Sequence, residues 1–375
     1  MIEFNIPYVS PKAAEYQLDT LKRKKLSGDG YYTHACSSFF EKHYGINKSL
    51  LTTSCTDSLE MAAILLNVQL GDEVIVPSYT FVSTANAFAL RGAKLVFADS
   101  SADNPNICPK SIASAITKKT KAIVVVHYAG IACDMDEILS VANGIPVVED
   151  AAQAIDSYHN GRLLGTLGIF GAYSFHETKN IISGEGGLLL VNDDDYSDRS
   201  EIIREKGTNR KQFFKGEVDK YGWVDIGSSF LPSELNAALL FSQLEELDLI
   251  QARRIEIWEK YQEGFSIMGK QGVVGLPHLP TYATNNAHMF YLLCNSSDER
   301  DNLIEYCKSK GVKIVFHYSS LHKSEYFRTK HDGRELPNAD RYTDVLVRLP
   351  LYPDLDDSEV EKVIATIKGF YLKSL

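Results

Sequence analysis

The sequence predicts an α/β fold. Short apolar runs rich in Val and Ile alternate with longer helix-like segments between residues 50 and 190. The runs are apolar on both faces, which suits strands of a parallel sheet that helices cover on both sides. At 375 residues the chain also exceeds what one hydrophobic core usually organises, so we expect two domains.

Four runs of strand length supply most of the predicted sheet: EVIVP, KLVFAD, KAIVVVHY and IPVVED, at 73–77, 94–99, 121–128 and 145–150. Two glycine-flanked runs, GIFGAYSF and GGLLLVND, predict two further buried strands. Two helices are predicted between the strands. Asp57 is expected to cap the helix TDSLEMAAILLNV together with Glu60 three residues on, and Gly92 to close the helix in SYTFVSTANAFALRG.

The second half of the chain predicts a different arrangement. Apolar residues at helical intervals predict one long helix over 233–268. A small α+β unit follows, with HMFYLLCN, the helix RDNLIEYCKSKG, VKIVFHY and a last helix near 356–372. We therefore expect a large domain at 1–245 and a small domain at 246–375, with about 15 N-terminal residues free to pack on the small domain.

Composition argues against several classes of function. The net charge is −10 and KRKK at 22–25 is the only basic run, so no nucleic-acid partner is expected. No apolar stretch reaches the roughly 20 residues of a membrane span, and we expect a cytoplasmic protein without a membrane partner. The six cysteines lack C-x-x-C spacing and no H-E-x-x-H occurs, so free thiols and no metal site are predicted.

Polar residues follow a predicted strand and begin a predicted helix. Asp150 stands where an apolar strand ends, and Gln153 follows three residues later. Ligands of parallel sheets bind at that end of the strands, although Asp150 could instead cap a helix. The stretch TTSCTDSLE at 52–60 offers hydroxyls and free N–H groups to a phosphate, although an ordinary helix start has the same composition.

Lys179, in SFHETKN, lies between two predicted buried strands, where an unpartnered lysine is rare. Ser174 adds a hydroxyl nearby, and SGEGG at 183–187 allows a sharp turn or a close approach, as a plain hairpin also would. The chain thus offers an anion site, a carboxylate, an amine and an aromatic face, and a single ligand matches all four. Pyridoxal 5'-phosphate has a phosphate, a ring nitrogen that pairs with a carboxylate, and an aldehyde that condenses with lysine.

The same strings carry a family resemblance. SFHETKN, EDAAQ, PSYTFVSTANA and GGLLLVND, with longer strings such as REKGTNR and NAHMFY, resemble the DegT/DnrJ/EryC1/StrS sugar-nucleotide aminotransferases. These are pyridoxal-phosphate enzymes of fold type I. The resemblance implies a cofactor-binding large domain with a mostly parallel seven-stranded sheet and a smaller C-terminal α+β domain. It also implies a homodimer whose subunits share the active site.

The resemblance implies a role for each aligned residue. Lys179 matches the lysine that bonds to the cofactor aldehyde and later moves the substrate proton. Asp150 matches the partner of the pyridinium nitrogen, and Gln153 the residue beside the 3'-oxygen. Many relatives have Asn, reaching the neighbouring subunit's phosphate, where this chain has Ser229. The other implied cofactor contacts are Cys55, Thr56 and Ser174 at the phosphate and Phe81 on the ring.

Substrate contacts are predicted at His176, Glu177 and His317, for each of which a purely structural role is open. The longer strings most resemble relatives that pass an amino group from L-glutamate, by way of pyridoxamine 5'-phosphate, to dTDP-4-keto-6-deoxy-D-glucose. The product would be dTDP-4-amino-4,6-dideoxy-D-galactose, a precursor for glycans such as lipopolysaccharide O-antigen or enterobacterial common antigen.

Alternatives stay open. Amination at C3, the gluco epimer, or uridine in place of thymidine would use nearly the same cofactor contacts. Lys179 counts against the dehydratase branch of the fold, whose members resemble this chain but have histidine there. A noncatalytic sugar-nucleotide regulator could retain the fold. The hypothesis of a nicotinamide oxidoreductase is weakened because no G-x-G-x-x-G follows a predicted strand.

Overall fold

A computed structural model describes residues 1–372 of the chain. The strands are β1 (Ser49–Thr52), β2 (Glu73–Pro77), β3 (Lys94–Ala98), β4 (Thr120–Val126), β5 (Val147–Asp150), β6 (Tyr158–His159), β7 (Arg162–Leu163), β8 (Phe170–Ser174), β9 (Gly187–Val191), β10 (Tyr291–Leu293) and β11 (Leu346–Arg348). The α-helices are α1 (Ala13–Arg23), α2 (Tyr31–Tyr44), α3 (Cys55–Leu65), α4 (Val82–Ala89), α5 (Pro109–Ala115), α6 (Met135–Ala142), α7 (Ser197–Arg204), α8 (Arg210–Phe214), α9 (Glu234–Leu244), α10 (Leu247–Lys270), α11 (Ser297–Ser309), α12 (Pro337–Val345) and α13 (Asp357–Leu372).

The central sheet has seven strands in the order β1-β9-β8-β5-β4-β2-β3. Strands β8, β5, β4, β2 and β3 pair in parallel, whereas β9 is antiparallel to both β8 and β1. The predicted α/β fold with a mostly parallel sheet is therefore confirmed. Because the parallel strands all point the same way, their carboxyl ends meet along one edge.

The two faces of the sheet pack against different helices. Val74 and Val76 of β2 face the core that includes α3 and α4, whereas Ile75 between them faces α5 and α6. This separation follows from the alternation of side chains along a strand. In β5 the same alternation puts Val148 on the α3 and α4 side and Val147 on the α5 and α6 side. Both faces are apolar because both are covered.

Two local predictions were wrong. Ser54, not Asp57, caps α3: the Oγ of Ser54 accepts the N–H of Asp57 at 3.1 Å, because the extended backbone of Ser54 places its hydroxyl at the helix entrance. The single helix predicted over 233–268 is in fact two, α9 and α10. Buried Leu244 and Leu247 continue the apolar pattern across the break, so periodicity does not reveal it.

The C-terminal part is built around the pair β10 and β11. The N-terminus contacts it, since the N–H of Ile2 donates to Gly311 O at 2.8 Å and the N–H of Lys313 donates to Ile2 O at 3.0 Å. The division into domains at 245/246 stays a prediction. Within residues 1–372, no helix combines the length and apolar character needed to cross a bilayer.

Candidate active site

Lys179 lies in the loop that joins β8 to β9. The loop begins as a continuation of the strand pairing, with the N–H of Phe175 donating to Gly186 O at 2.8 Å and that of Ser183 to Phe175 O at 2.7 Å. The N–H of Lys179 then donates to His176 O at 2.9 Å, which makes a turn. The lysine side chain lines a cavity at the carboxyl edge of the sheet.

This cavity has a volume of about 490 Å³ and collects most of the predicted site. Nine of the eleven predicted residues line it: Cys55, Thr56, Phe81, Asp150, Gln153, Ser174, His176, Lys179 and His317. Glu177 and Ser229 do not. The residues come from five separate parts of the chain, which the fold brings together at this cavity.

Asp150 is buried at the end of β5. Its Oδ2 accepts the hydroxyl of Thr84 at 2.6 Å, and its Oδ1 accepts the N–H of Ala152 at 3.1 Å. Burial raises the pKa of the Asp150 carboxyl, and these two hydrogen bonds partly offset the rise. Among residues 1–372, no Lys, Arg or His lies within ion-pair distance of it. The site therefore offers a buried carboxylate to a cation that the protein does not supply.

The surroundings of Lys179 favour its neutral amine. Burial in the cavity lowers the pKa of Lys179 from its ordinary 10.5. The neighbouring Cys55 and Asp150 oppose this shift, whereas the positive charge of Arg348 adds to it. More of the amine is consequently unprotonated, and able to attack an aldehyde, than in an exposed lysine.

Two helix N-termini, those of α3 and α4, point at the same cavity. Ser54, Cys55 and Thr56 come from the first, and Phe81 and Ser83 from the second. The hydroxyl of Thr56 donates to the Oγ of Ser83 at 2.8 Å and so joins the two. First-turn N–H groups have no partner within their helix and carry the positive end of its dipole, so this pair suits a phosphate.

Gly187 lets the N-terminus of α3 lie directly on β9. A Cβ at this position would lie 2.3 Å from the carbonyl carbon of Ser54 and 2.4 Å from the backbone nitrogen of Cys55. Both are main-chain atoms that cannot rotate away. The glycine run in SGEGG thus serves a close backbone approach rather than only a turn.

The cavity also has a polar and aromatic wall. The Oε1 of Gln153 accepts the N–H of Ala129 at 2.7 Å, and its Nε2 donates to the hydroxyl of Tyr318 at 3.4 Å. The ring of Phe81 lies 5.9 Å from that of Tyr318, and 55% of Phe81 is exposed. An aromatic ring left exposed at a cavity offers a face on which a flat ligand can stack.

The predicted substrate residues differ in their positions. His176 lines the cavity, but its Nδ1 accepts the N–H of Thr178 at 3.2 Å and its Nε2 lies 3.7 Å from Glu185 Oε1. Glu177 is exposed outside the cavity, where its carbonyl accepts the side-chain amide of Asn5 at 3.2 Å. Their contacts with substrate stay predictions.

Ser229 lies elsewhere, on a second cavity of about 470 Å³ that Lys206 and Arg210 also line. Its backbone pairs with that of Glu205 in an isolated antiparallel β-bridge, and its side chain is exposed. It does not reach the cavity of its own chain. Its predicted contact with a neighbouring subunit's phosphate stays a prediction.

Sequence reasoning missed several lining residues: Ser83, Glu185, His288, Tyr318 and Arg348. Thr84, which hydrogen-bonds Asp150 from behind, was also missed. One signal was available, because an arginine next to the apolar run LPLY is unusual in a buried strand. The others are ordinary polar residues that only the folded chain brings together.

These residues fit pyridoxal 5'-phosphate. Within residues 1–372 the buried Asp150 lacks a cation, which the protonated ring nitrogen would supply, and the joined helix N-termini offer donors to the phosphate. Lys179 offers an amine of lowered pKa to the aldehyde. Together with the mostly parallel sheet, they define a pyridoxal-phosphate enzyme of fold type I.

The chain belongs to the DegT/DnrJ/EryC1/StrS aminotransferase family, whose model matches residues 9–368. The aminotransferase TlmJ from Streptoalloteichus hindustanus is 29% identical, with a TM-score of 0.92 and 100% of both chains covered. The sugar aminotransferase Spr1654 from Streptococcus pneumoniae, in its PLP form, is 26% identical, with a TM-score of 0.90 and 100% and 99% covered. MJ1066 of Methanocaldococcus jannaschii is 30% identical over 372 residues, 96% of this chain and 95% of that protein.

The predicted family, enzyme class and cofactor are therefore confirmed. The protein is a sugar aminotransferase and pyridoxal 5'-phosphate is its cofactor.

Proposed function

We propose that the protein transfers the amino group of L-glutamate to C4 of dTDP-4-keto-6-deoxy-D-glucose, giving dTDP-4-amino-4,6-dideoxy-D-galactose. The observation that supports amino transfer at this cavity is that Lys179, with its lowered pKa, lines it together with Asp150, which has no cation partner in the described part of the chain. The choice of sugar, position and donor rests on the strings that run through the chain, such as REKGTNR and NAHMFY.

In this proposal Lys179 has two tasks. Its neutral Nζ would hold the cofactor in the cavity through the aldehyde. The same Nζ would accept a proton from the α-carbon of the donor and deliver one to C4 of the sugar. A lowered pKa suits both tasks, because the amine must lose and regain a proton near neutral pH.

The other residues of the cavity would hold and orient the cofactor. When bound, pyridoxal 5'-phosphate supplies an aldehyde that takes up the amino group and a protonated ring that withdraws electrons. Asp150 would keep the ring nitrogen protonated, and Gln153 would lie beside the 3'-oxygen. Cys55, Thr56 and Ser174 would hold the phosphate, with Phe81 against the ring. A charge-assisted hydrogen bond such as that of Asp150 contributes roughly 1.5 to 3 kcal/mol.

We also propose a homodimer in which Ser229 reaches the partner's phosphate. Support comes from its distance from the cavity of its own chain and from large exposed apolar residues in the same segment, with Phe214 70% and Trp223 85% exposed. Such exposed apolar surface is typical of an interface. We further propose domains at 1–245 and 246–375, and action in the cytoplasm, which the six free cysteines suit.

Product analysis tests the proposal. The purified protein is incubated with dTDP-4-keto-6-deoxy-D-glucose and L-glutamate, and NMR assigns the amino sugar. We expect an amino group at C4 with galacto configuration. A 3-amino product, the gluco epimer, or no amino sugar would contradict the assignment.

Lys179→Ala tests the role of the lysine directly. It should abolish amination, whereas Lys330→Ala, at an exposed site outside the cavity, should not. A Lys179→Ala enzyme that aminates the sugar at near wild-type rate would refute the role of Lys179.

A further inference from the structure

An aromatic side chain from the N-terminal segment lies among polar groups in the active-site cavity. Phe4 lines this cavity together with Lys179 and Arg348. The centre of the Phe4 ring lies 5.0 Å from the guanidinium carbon of Arg348 and 6.1 Å from the ring centre of His317. Burial lowers the pKa of Lys179, and the charge of Arg348 adds to that effect. Phe4 therefore lies at the end of the cavity that holds the reacting amine.

Backbone and side-chain contacts on both sides of Phe4 hold it in place. Before it, the N–H of Ile2 donates to Gly311 O at 2.8 Å. After it, the side-chain amide of Asn5 donates to Glu177 O at 3.2 Å, in the loop that carries the active-site lysine. Because both neighbours of Phe4 are fixed, the ring has a defined position in the cavity wall. A ring held in this way can discriminate between ligands of different shape.

The other large apolar side chains that line the cavity have less surface to offer or a different task. Leu59 is 0% exposed and Val126 is 6% exposed. The proposed function places Phe81 against the cofactor ring, and the hydroxyl of Tyr318 accepts a hydrogen bond from the wall. Phe4 is only partly buried. Among the residues that the structure describes, Phe4 is thus the apolar face that is left for the substrate.

The proposed sugar has one apolar group near its reacting carbon. In dTDP-4-keto-6-deoxy-D-glucose, C4 receives the amine, and the neighbouring C5 carries the methyl group C6. The other neighbour, C3, carries a hydroxyl, and the diphosphate is attached at C1. Burying a methyl group against an aromatic ring is favourable, whereas burying a hydroxyl there without a partner is costly. An aromatic ring at the reacting end of the cavity therefore suits the C6 methyl group.

We propose, on the basis of the proposed function, that Phe4 contacts the C6 methyl group of the sugar and makes the enzyme select 6-deoxy sugars. The contact removes the methyl group from water. It also disfavours a sugar with a C6 hydroxyl, because that hydroxyl would lie against an apolar face. Phe4 is accordingly a specificity-determining residue, and the proton transfers remain with Lys179.

Two substrates that differ only in this methyl group test the contact. dTDP-4-keto-D-xylose has the same keto carbon and the same nucleotide as the 6-deoxy sugar but lacks C6. With L-glutamate as donor, kcat/KM of the holoenzyme is measured for each sugar, and NMR assigns the products. The ratio of the two values is compared among wild type, Phe4→Ala and Phe4→Leu. Tyr326→Ala, at an exposed aromatic residue outside the cavity, is the matched control.

We expect wild type and Tyr326→Ala to prefer the 6-deoxy sugar by about 10-fold or more. Phe4→Ala should reduce this preference to less than about threefold, because the methyl group loses its apolar partner. Phe4→Leu keeps some apolar surface and should lie in between. A ring that only supports Arg348 or the fold would lower kcat/KM equally for both sugars. An unchanged ratio in Phe4→Ala would therefore overturn the proposal.

The ratio is taken within one preparation, so any loss of folded protein cancels from it. The difference in reactivity between the two ketones is common to all variants. If the wild-type enzyme aminates both sugars at C4 with equal efficiency, the proposed function stands and the role of Phe4 is refuted. If it aminates neither sugar at C4, the proposed function fails, and the contact with C6 fails with it.

Discussion

Glu149 and Asp150 are consecutive carboxylates at the end of β5, and both are buried. They face opposite sides of the sheet, because side chains alternate along a strand. Glu149 faces away from the active-site cavity, and Asp150 lines it. Two residues of the same chemistry and nearly the same burial thus lie in very different surroundings.

The hydrogen bonds of the two carboxylates differ. Glu149 accepts four: from the N–H groups of Gly165, Leu167 and Gly168 at 2.8, 2.7 and 2.6 Å, and from His127 Nε2 at 2.9 Å. Asp150 accepts two at normal distances, and among the residues that the structure describes no cation pairs with it. A fully satisfied buried carboxylate stabilises the fold, whereas an under-satisfied one is available for a ligand.

Asp150→Asn should have the largest effect. The single side-chain oxygen of the amide can still accept the N–H of Ala152, and its NH2 can donate to the hydroxyl oxygen of Thr84, so the fold is kept. The negative charge for the ring nitrogen is lost. We expect turnover to fall about 10³-fold, or about 4 kcal/mol. Steady-state rates together with thermal unfolding check this. Near-normal turnover would show that Asp150 is only a structural partner of Thr84.

Glu149→Gln should act on stability instead. Its amide places N–H donors against backbone N–H groups such as that of Gly168, and we expect a loss of about 3 kcal/mol in the free energy of unfolding. Urea unfolding of the apo-protein measures it. The folded fraction should retain its turnover. If Glu149→Gln were as stable as wild type but inactive, the contrast between the two carboxylates would be reversed.

Thr84→Val should have a smaller effect on the same site as Asp150→Asn. Burial raises the pKa of Asp150 and the Thr84 hydroxyl lowers it, so removing the hydroxyl raises that pKa further. A carboxyl of higher pKa is protonated at higher pH, and the acid limb of the pH–rate profile should move to higher pH. We expect a loss of about tenfold, or 1.4 kcal/mol, below neutral pH. An unmoved acid limb would contradict this.

Cys55→Ser should have the smallest effect. The Sγ of Cys55 lies 3.7 Å from Ala172 O and 4.0 Å from Asp150 Oδ1, both weak contacts. Burial raises the pKa of the thiol, so it carries no charge near pH 7. We expect less than about 1 kcal/mol in rate or cofactor affinity. A loss as large as that of Asp150→Asn would give the thiol a role in the reaction.

The sequence alone predicts the sheet. It also identifies one of the two carboxylates, Asp150, as a functional residue. Strands buried on both faces leave long apolar runs, and Asp150 was found because it ends such a run. The sequence does not show which sheet face a residue occupies or which loops pack against that face. The sequence therefore did not reveal the four groups that donate hydrogen bonds to Glu149.

Residues brought in from distant segments were the least predictable. Thr84 precedes Asp150 by 66 positions, and Arg348 comes from the far end of the chain. Thr84 has no local pattern that indicates a site, and the arginine next to LPLY is unusual without showing which cavity it lines, because only tertiary packing brings each residue to the cavity. The helix break between α9 and α10 was missed for a related reason, since its apolar pattern continues without interruption.

The site at which the cofactor is covalently attached can be measured directly. The purified holoenzyme is reduced with borohydride and digested, and mass spectrometry locates the pyridoxyl group. We expect the adduct on Lys179, in the peptide that contains SFHETKN. An adduct on a different lysine, or none, would contradict it.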